Sequence, residues 1–189
     1  MYIYNMSTKY KFWDSGKVYF VSFSVVEWID VFIRNEYREI VTNSIKYCIE
    51  NKGLNVHGWA LMSNHVHLLI SLKDNTQNRL SDIMRDMKKY TAMHLIKLIN
   101  EHPQESRKEW MLTTFLRSGR KNANNINYQF WQQDNHPIEI RGTEHYNNTL
   151  EYIHNNPVKA GWVSVSEHYP WSSAIDYSGG SGLIPIVFL

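Results

Sequence analysis

Two histidines stand one residue apart in an apolar run, LMSNHVHLLI at residues 61–70. Side chains alternate between the two faces of a strand, so His65 and His67 are expected on one face, the open face of a sheet. The opposite face carries the better core residues, which are Val66, Leu68 and Ile70. Two neutral imidazoles at this spacing can bind one divalent cation when a third ligand comes from elsewhere. The pattern predicts half of a metal site, and the alternative is a pair of surface histidines beside an apolar strand.

A tyrosine and an asparagine, Tyr152 and Asn156, are four residues apart and would share one face of a helix. A tyrosine hydroxyl can act as a nucleophile when a metal or a base assists it, and an asparagine amide oxygen suits Mg²⁺ or Mn²⁺. This helix would therefore bring a nucleophile and a third ligand to the histidine pair. The alternative is a packing tyrosine, one of 12 in the chain, and an ordinary helix-end asparagine before Pro157.

Hydrophobic periodicity predicts the elements that must position these residues, in the order strand, helix, strand, strand, helix, strand, helix. Their predicted ranges are 17–26, 35–53, 54–62, 65–72, 80–102, 128–140 and 143–156. The segment 103–127 is expected to form a short helix followed by a loop. The order indicates an α+β fold, a ferredoxin-like antiparallel sheet with helices packed on one face, plus a C-terminal helix and a wrapping tail. We expect one domain over residues 1–189.

Local signals predict where several of these elements begin and end. Ser63 and Asn64 form the tight turn between two strands, and Ser81 and Thr143 are the expected N-caps of the second and third long helices. Pro157 is expected to end the last helix, because the residue before a proline is pushed out of the α region.

The composition excludes several classes of protein. The 189 residues are 43% hydrophobic and 20% charged, which is typical of a globular protein and not of a disordered one. Cys48 is the single cysteine, so neither an internal disulfide nor a thiolate metal cluster is expected, and a reduced cytoplasm fits. The sequence contains no apolar run approaching 18 residues, so no membrane span is predicted.

Three blocks resemble the single-tyrosine transposases with a histidine–hydrophobe–histidine (HUH) motif, in the branch of REP-associated tyrosine transposases. They are ALMSNHVHLLI, FWQQDNHPIEI and LEYIHNNPVKAGWV, in that order. The resemblance implies that His65, His67 and Asn156 bind Mg²⁺ or Mn²⁺. It further implies that Tyr152 attacks a DNA phosphate, forming a 5′-phosphotyrosine and leaving a free 3′-OH that a later step can rejoin.

The sequence departs from the family at Ser63, where the family usually has proline. Tyr146 and Tyr90 are alternative tyrosines, although Tyr146 would lie on nearly the opposite side of the helix from Tyr152. His136 is a possible further ligand or proton carrier, and a polar loop histidine is the preferred interpretation.

Contacts to nucleic acid must come from local clusters, because the net charge is only +2. Two basic groups suit phosphate contacts, with solvated helix faces as the alternative. They are Arg85, Lys88 and Lys89, and Arg117, Arg120 and Lys121. Trp59, Trp131 and Trp162 could stack on bases, with core packing as the alternative. The resemblance implies a single-stranded DNA partner that carries a hairpin, and either a monomer or a homodimer.

Three functions follow from these patterns. The leading hypothesis is a metal-dependent transposase that nicks and rejoins single-stranded DNA. A domesticated nickase or replication-initiator-like protein would use the same chemistry without mobilising DNA. A nucleic-acid-binding module without catalysis is the alternative from another class.

Overall fold

A computed structural model describes residues 12, 16–121, 128–133 and 137–189 of the chain. The described strands are β1 (Tyr19–Ser24), β2 (Leu54–Leu61), β3 (His65–Leu72) and β4 (Ile138–Glu139). The helices are α1 (Asn35–Asn51), α2 (Leu80–Glu101), α3 (Lys108–Arg120), α4 (Gly142–Lys159) and the single-turn α5 (Ala174–Tyr177). Short 3₁₀ turns occupy Val26–Trp28 and Ser166–His168.

The four strands form one antiparallel sheet in the order β2-β3-β1-β4. This is the order that two interlocked split βαβ units produce, with β3 between β1 and β2 and β1 between β3 and β4. The predicted ferredoxin-like α+β fold is confirmed. The helix expected within 103–127 is α3, which lies between α2 and β4, whereas residues 122–127 of that segment lie outside the described residues.

Helices cover both faces of the sheet. Residues of α1, α2 and α3 join the larger core, to which β3 contributes Val66, Leu68 and Ile70 as predicted. On the other face, α4 packs Leu150 and Ile153 against Ala60 and Leu69 in a smaller core. The histidine face is therefore not open, because α4 lies on it.

The starts of two helices differ from the predicted N-caps. In α2 the first backbone N–H groups, those of Asp82 and Ile83, donate hydrogen bonds to the carbonyl of Arg79. The side chain of Ser81 does not accept them. The helix therefore begins two residues earlier than it would with Ser81 as its N-cap. Helix α4 similarly begins at Gly142 and not after Thr143, and the Arg141 N–H donates to the His145 ring at 3.2 Å.

Pro157 does not end α4, contrary to the sequence prediction, but lies inside its last turn. A proline removes only one backbone donor, and its fixed φ is compatible with helix. The turn after it is closed by N–H groups of Ala160 and Trp162, which donate to the carbonyls of Asn156 and Pro157. Gly161, with a φ of +72°, then provides the left-handed residue that terminates the helix.

The C-terminal tail wraps back onto the sheet, as predicted. Its backbone bonds to the outer edge of β2: Leu61 donates to Trp171, and Ser173 donates to Trp59. Val187 donates to Val56 farther along the same strand. The tail thus covers an edge whose N–H and C=O groups would otherwise be exposed. No helix within the described ranges is long and apolar enough to cross a membrane.

Candidate active site

The two histidines of β3 converge at the start of that strand. Their Nε2 atoms are 3.0 Å apart and their ring centroids 4.6 Å apart. His65 is half-buried, whereas His67 is only 3% exposed, because the ring of Phe20 stacks on it at 5.6 Å. The pair therefore offers two ring nitrogens to one point, from within a partly water-excluded pocket.

Both imidazoles are held neutral at neutral pH. Burial, followed by the neighbouring His65, lowers the pKa of His67 to about 3, and a hydrogen bond with Asn156 opposes this only in part. Burial also lowers the pKa of His65, against the opposing charge of Asp30. Neutral imidazole is the form that binds a metal, so the protonation state fits the predicted ligand role.

Asn64 orients the first histidine. The Asn64 Oδ1 lies 2.7 Å from the His65 Nδ1, so the imidazole N–H is donated there and Nε2 is left to face His67. The amide nitrogen of Asn64 donates in turn to the Asp30 carboxylate and to the Trp28 carbonyl, both at 3.1 Å. The turn that joins β2 to β3 therefore fixes the ring of His65.

Helix α4 brings Tyr152 and Asn156 to the same place. The Tyr152 ring centroid lies 5.3 Å from that of His67, and the tyrosine is 44% exposed. The Asn156 amide nitrogen donates to the Tyr152 carbonyl at 2.7 Å, which leaves Oδ1 to accept from His67. The ammonium of Lys159 lies 5.7 Å from the Tyr152 ring centroid. The four residues selected from the sequence thus form one cluster, two from β3 and two from α4.

The donor set fits a hard divalent cation. Two neutral Nε2 atoms and one amide oxygen meet, and the Nδ1 of His67 is buried with no hydrogen-bond partner among the described residues. Within the described ranges, no group of three or more histidines, cysteines and carboxylates offers a different metal site. His136, the further ligand considered from the sequence, lies outside those ranges.

The rear face of α4 fixes its position on the sheet. Leu150 packs directly over Gly58, where a β-carbon would come within 2.5 Å of the leucine Cδ1. His154, two residues from Tyr152, is buried with its Nε2 2.8 Å from Ser173 Oγ, and Ser173 accepts from the Trp59 backbone N–H. His154 therefore faces away from the cluster and anchors the helix.

The alternative tyrosines lie elsewhere. The Tyr146 hydroxyl is bonded to that of Tyr177 at 2.9 Å, and burial raises its pKa. Tyr90 is exposed on α2, where its ring lies 3.9 Å from that of His94. Neither belongs to the cluster with the histidine pair.

The predicted basic residues are distributed over two helices of the opposite layer. On α2, Arg85 pairs with Asp82 and Asp86, and the Lys88 ammonium donates to the Gln132 carbonyl at 2.9 Å, whereas Lys89 is exposed. On α3 the exposed Arg117 lies 4.0 Å from Glu27. The remaining exposed cations at the end of α3 are Arg120 and Lys121.

The tryptophans selected for stacking are mostly structural. Trp59 and Trp131 are buried in the larger core, and Trp162 is 43% exposed with its ring 5.6 Å from Tyr169. The residue that sequence analysis missed is Trp28, which is 57% exposed with its ring centroid 5.9 Å from that of His65. Its sequence neighbours carry no alternation or spacing that could have indicated this position.

Known proteins resemble this chain in sequence and in fold. A family model described as "Transposase IS200 like" matches residues 28–118. A protein of Haemophilus influenzae, provisionally described as a REP-associated tyrosine transposase, is 25% identical over 139 residues, or 74% of this chain and 67% of that protein. A solved structure of a REP-associated tyrosine transposase bound to a REP hairpin superposes with a TM-score of 0.66 at 20% identity. That match covers 97% of this chain and 92% of the other.

Proposed function

Because residues 28–118 match the model of IS200-like transposases, we propose that the chain is a transposase of this kind and that it cuts and rejoins single-stranded DNA through Tyr152. The observation that supports this most directly is the cluster of Tyr152 and Asn156 with the neutral pair of His65 and His67. A nucleophile, two nitrogen ligands and one oxygen ligand then lie in one partly exposed pocket.

The chain's residues supply the steps of a transesterification. The Tyr152 oxygen forms a bond to phosphorus, the bond from phosphorus to the 3′ oxygen breaks, and the tyrosine proton is transferred to solvent or to that oxygen. His65, His67 and Asn156 would hold Mg²⁺ or Mn²⁺, which when bound provides Lewis-acid stabilisation of the phosphate charge. The Lys159 ammonium, 5.7 Å from the Tyr152 ring centroid, adds a positive charge beside the place where the negatively charged phosphate would react. The product, a 5′-phosphotyrosine, preserves the phosphodiester energy, so a 3′-OH can rejoin by the reverse reaction.

The partner we propose is single-stranded DNA that carries a hairpin. This rests on the solved relative, which is bound to a REP hairpin, and on the exposed cations of α2 and α3. Those cations suit phosphate contacts, whereas sequence recognition must come from other groups. Tyr152 contacts His67 of its own chain, which supports an active site completed within one subunit.

A covalent-adduct assay tests the proposal. Labelled hairpin oligonucleotides with single-stranded flanks are incubated with the protein and Mn²⁺ and separated on a denaturing gel. We expect an adduct with the wild type and none with Tyr152→Phe. Tyr90→Phe is the matched control, because Tyr90 is similarly exposed and lies outside the cluster. Full adduct formation by Tyr152→Phe would refute the proposed nucleophile.

Two further results separate the alternatives. The double variant His65→Ala/His67→Ala should lose metal-dependent cleavage and keep DNA binding, whereas equal loss of both would indicate a structural role for the pair. A nickase or replication-initiator-like protein would form the adduct but fail to join it to a second strand. A binding module without catalysis would bind DNA and form no adduct.

A further inference from the structure

Two adjacent residues beside the histidine pair have left-handed backbone conformations. Glu27 and Trp28 have φ values of 54° and 53°, and the only other non-glycine residue of this kind in the described part of the chain is Asn75. Asparagine tolerates this region, but for a bulky aromatic residue it is an outlier. Strain of this kind is retained when the surrounding structure imposes it, and it concentrates at ligand-binding positions.

The surrounding hydrogen bonds hold Trp28 in this conformation. Its backbone N–H donates to the Val25 carbonyl at 3.1 Å, and its own carbonyl accepts from the Asn64 amide, also at 3.1 Å. The same Asn64 is bonded to His65. The backbone of Trp28 is therefore coupled to the orientation of the first histidine.

The side chain gains little burial from this strain. The indole is 57% exposed, and its ring contacts His65 edge-on, with an interplanar angle of 74°. A tryptophan that served the core would be buried, as Trp59 and Trp131 are. The conformation instead presents an apolar face to solvent at the margin of the candidate active site.

A cation lies on the other side of the same turn. The carboxylate of Glu27 is 4.0 Å from the guanidinium of Arg117, and both side chains are exposed. The turn therefore carries an exposed aromatic ring beside the histidine pair, and the residue before that ring lies near an exposed arginine. An aromatic face next to a cation is the combination that binds single-stranded nucleic acid, through base stacking and phosphate contact.

We propose that Trp28 is the stacking platform for an unpaired base next to the phosphate bound at the histidine pair. This inference rests on the proposed function and adds a substrate-binding residue to it. Stacking there would fix the strand on one side of the scissile phosphate, while the hairpin is bound elsewhere. Because every base has an apolar face, this contact positions DNA and tolerates different sequences.

The test uses the full chain with Tyr152→Phe, which binds without cleaving. Hairpin oligonucleotides with randomised single-stranded flanks are selected for binding, and each flank position of the selected DNA is then replaced by 2-aminopurine. We expect the 2-aminopurine fluorescence at one flank position to be quenched, and we expect this quenching to require Trp28. Trp28→Ala should weaken binding about 5- to 150-fold and abolish that quenching, whereas Trp28→Phe should retain part of both. Trp110→Ala is the control, because Trp110 is 56% exposed and lies at the start of α3.

Trp28→Gly tests the strain separately. Glycine accepts a positive φ without steric cost, so this variant should melt at or above the temperature of Trp28→Ala, the reverse of the usual order, while losing the same affinity. Unchanged binding and quenching in Trp28→Ala would overturn the inference even if the wild type forms the covalent adduct. Quenching that depends on Trp28 without any adduct would instead refute the catalytic proposal alone. A failure to select any hairpin would overturn both.

Discussion

At the scale of single residues, the ring orientation of His65 depends on Asn64, a neighbour that is not itself one of the proposed metal ligands. The Asn64 side chain receives the His65 Nδ1 hydrogen and donates to Asp30 and Trp28. Partners of this kind fix the tautomer and the ring orientation of a metal-ligating histidine. Asn64 is therefore a positioning residue for the proposed site.

Asn64→Ala should reduce metal-dependent adduct formation about 10- to 100-fold, because the His65 ring loses its orientation. The effect should appear as a higher Mn²⁺ concentration needed for half-maximal rate, with DNA binding retained. Ser63→Ala is the control, since Ser63 bonds the same Asp30 carboxylate without contacting His65. A wild-type Mn²⁺ dependence in Asn64→Ala would contradict the positioning role.

Sequence could indicate His65, His67, Tyr152 and Asn156 because each pair repeats at the period of its own element, two in a strand and about four in a helix. Their convergence depends on how α4 packs on the sheet, which the resemblance implied and the periodicity did not. Trp28 could not be found in this way, since its position follows from a backbone conformation that no residue type in the turn indicates.

At the scale of elements, the position of α4 on the sheet determines whether Tyr152 and Asn156 reach the histidine pair of β3. The close approach of α4 to β2 is possible because Gly58 has no side chain under Leu150. Leu150 lies two residues before Tyr152 and six before Asn156 on the same helix, so a displacement at this contact is transmitted to both. The sequence predicts a ferredoxin-like sheet and this helix, but with helices on one face and an open histidine face, whereas α4 covers that face.

Gly58→Ala should overpack this contact and destabilise the fold by about 1–3 kcal/mol, with a loss of adduct formation. Leu150→Ala alone should also destabilise, because it removes a largely buried leucine. The double variant should lose less unfolding free energy than the sum of the two single losses, because the shorter side chain at position 150 leaves room for the added methyl group at position 58. Additive free energies of unfolding in urea would show that the glycine does not set the helix position.

A second element-scale feature is the buried carboxylate of Glu105, just before α3. It accepts hydrogen bonds from Arg34, Tyr37 and Arg107, and Arg107 also donates to the Asp30 carbonyl at 2.7 Å. Burial by itself would raise the pKa of Glu105, but the hydrogen bonds and charge of Arg107, with the bond from Arg34, lower it to about 2. This network ties α1 and α3 to the segment that supports Asn64.

Glu105→Gln should therefore cost about 3 kcal/mol of unfolding free energy at neutral pH, since the pKa falls from 4.5 to about 2 and one pKa unit corresponds to about 1.4 kcal/mol. The folded-state pKa is below the usual value of 4.5, so the wild-type advantage is present above pH 4.5 and is lost as the pH falls towards 2. Urea unfolding of both proteins at a series of pH values measures this. A stability difference independent of pH would show that the charge of Glu105 is not responsible.

At the scale of the whole molecule, the three cations of α2 that were predicted to bind phosphate have different surroundings. Lys88 donates a hydrogen bond to the Gln132 carbonyl, and Arg85 forms ion pairs with two aspartates. Among these three residues of α2, the exposed Lys89 is therefore the best candidate for a phosphate contact. Sequence analysis grouped these three residues by spacing alone. Their different partners depend on tertiary packing, which spacing does not contain.

Lys89→Ala should reduce the slope of log affinity against log salt by about 0.7–0.9, the contribution of one phosphate contact. Arg85→Ala should change the slope less, because Asp82 and Asp86 already neutralise its guanidinium. Titration of hairpin DNA at several salt concentrations measures both slopes in the Tyr152→Phe background. Equal slopes for wild type and Lys89→Ala would place the DNA on another surface.

A single chain should suffice to form the active site. Tyr152 contacts His67 of its own chain, and α4 is held in place by Leu150 over Gly58 and by His154 on Ser173. A mixture of Tyr152→Phe with His65→Ala/His67→Ala should therefore form no more adduct than either variant alone. The two chains can be distinguished by giving one of them a larger tag. Adduct that appears only on mixing, on the chain with intact Tyr152, would show that this tyrosine serves the histidines of another subunit, and that α4 leaves the position described for it.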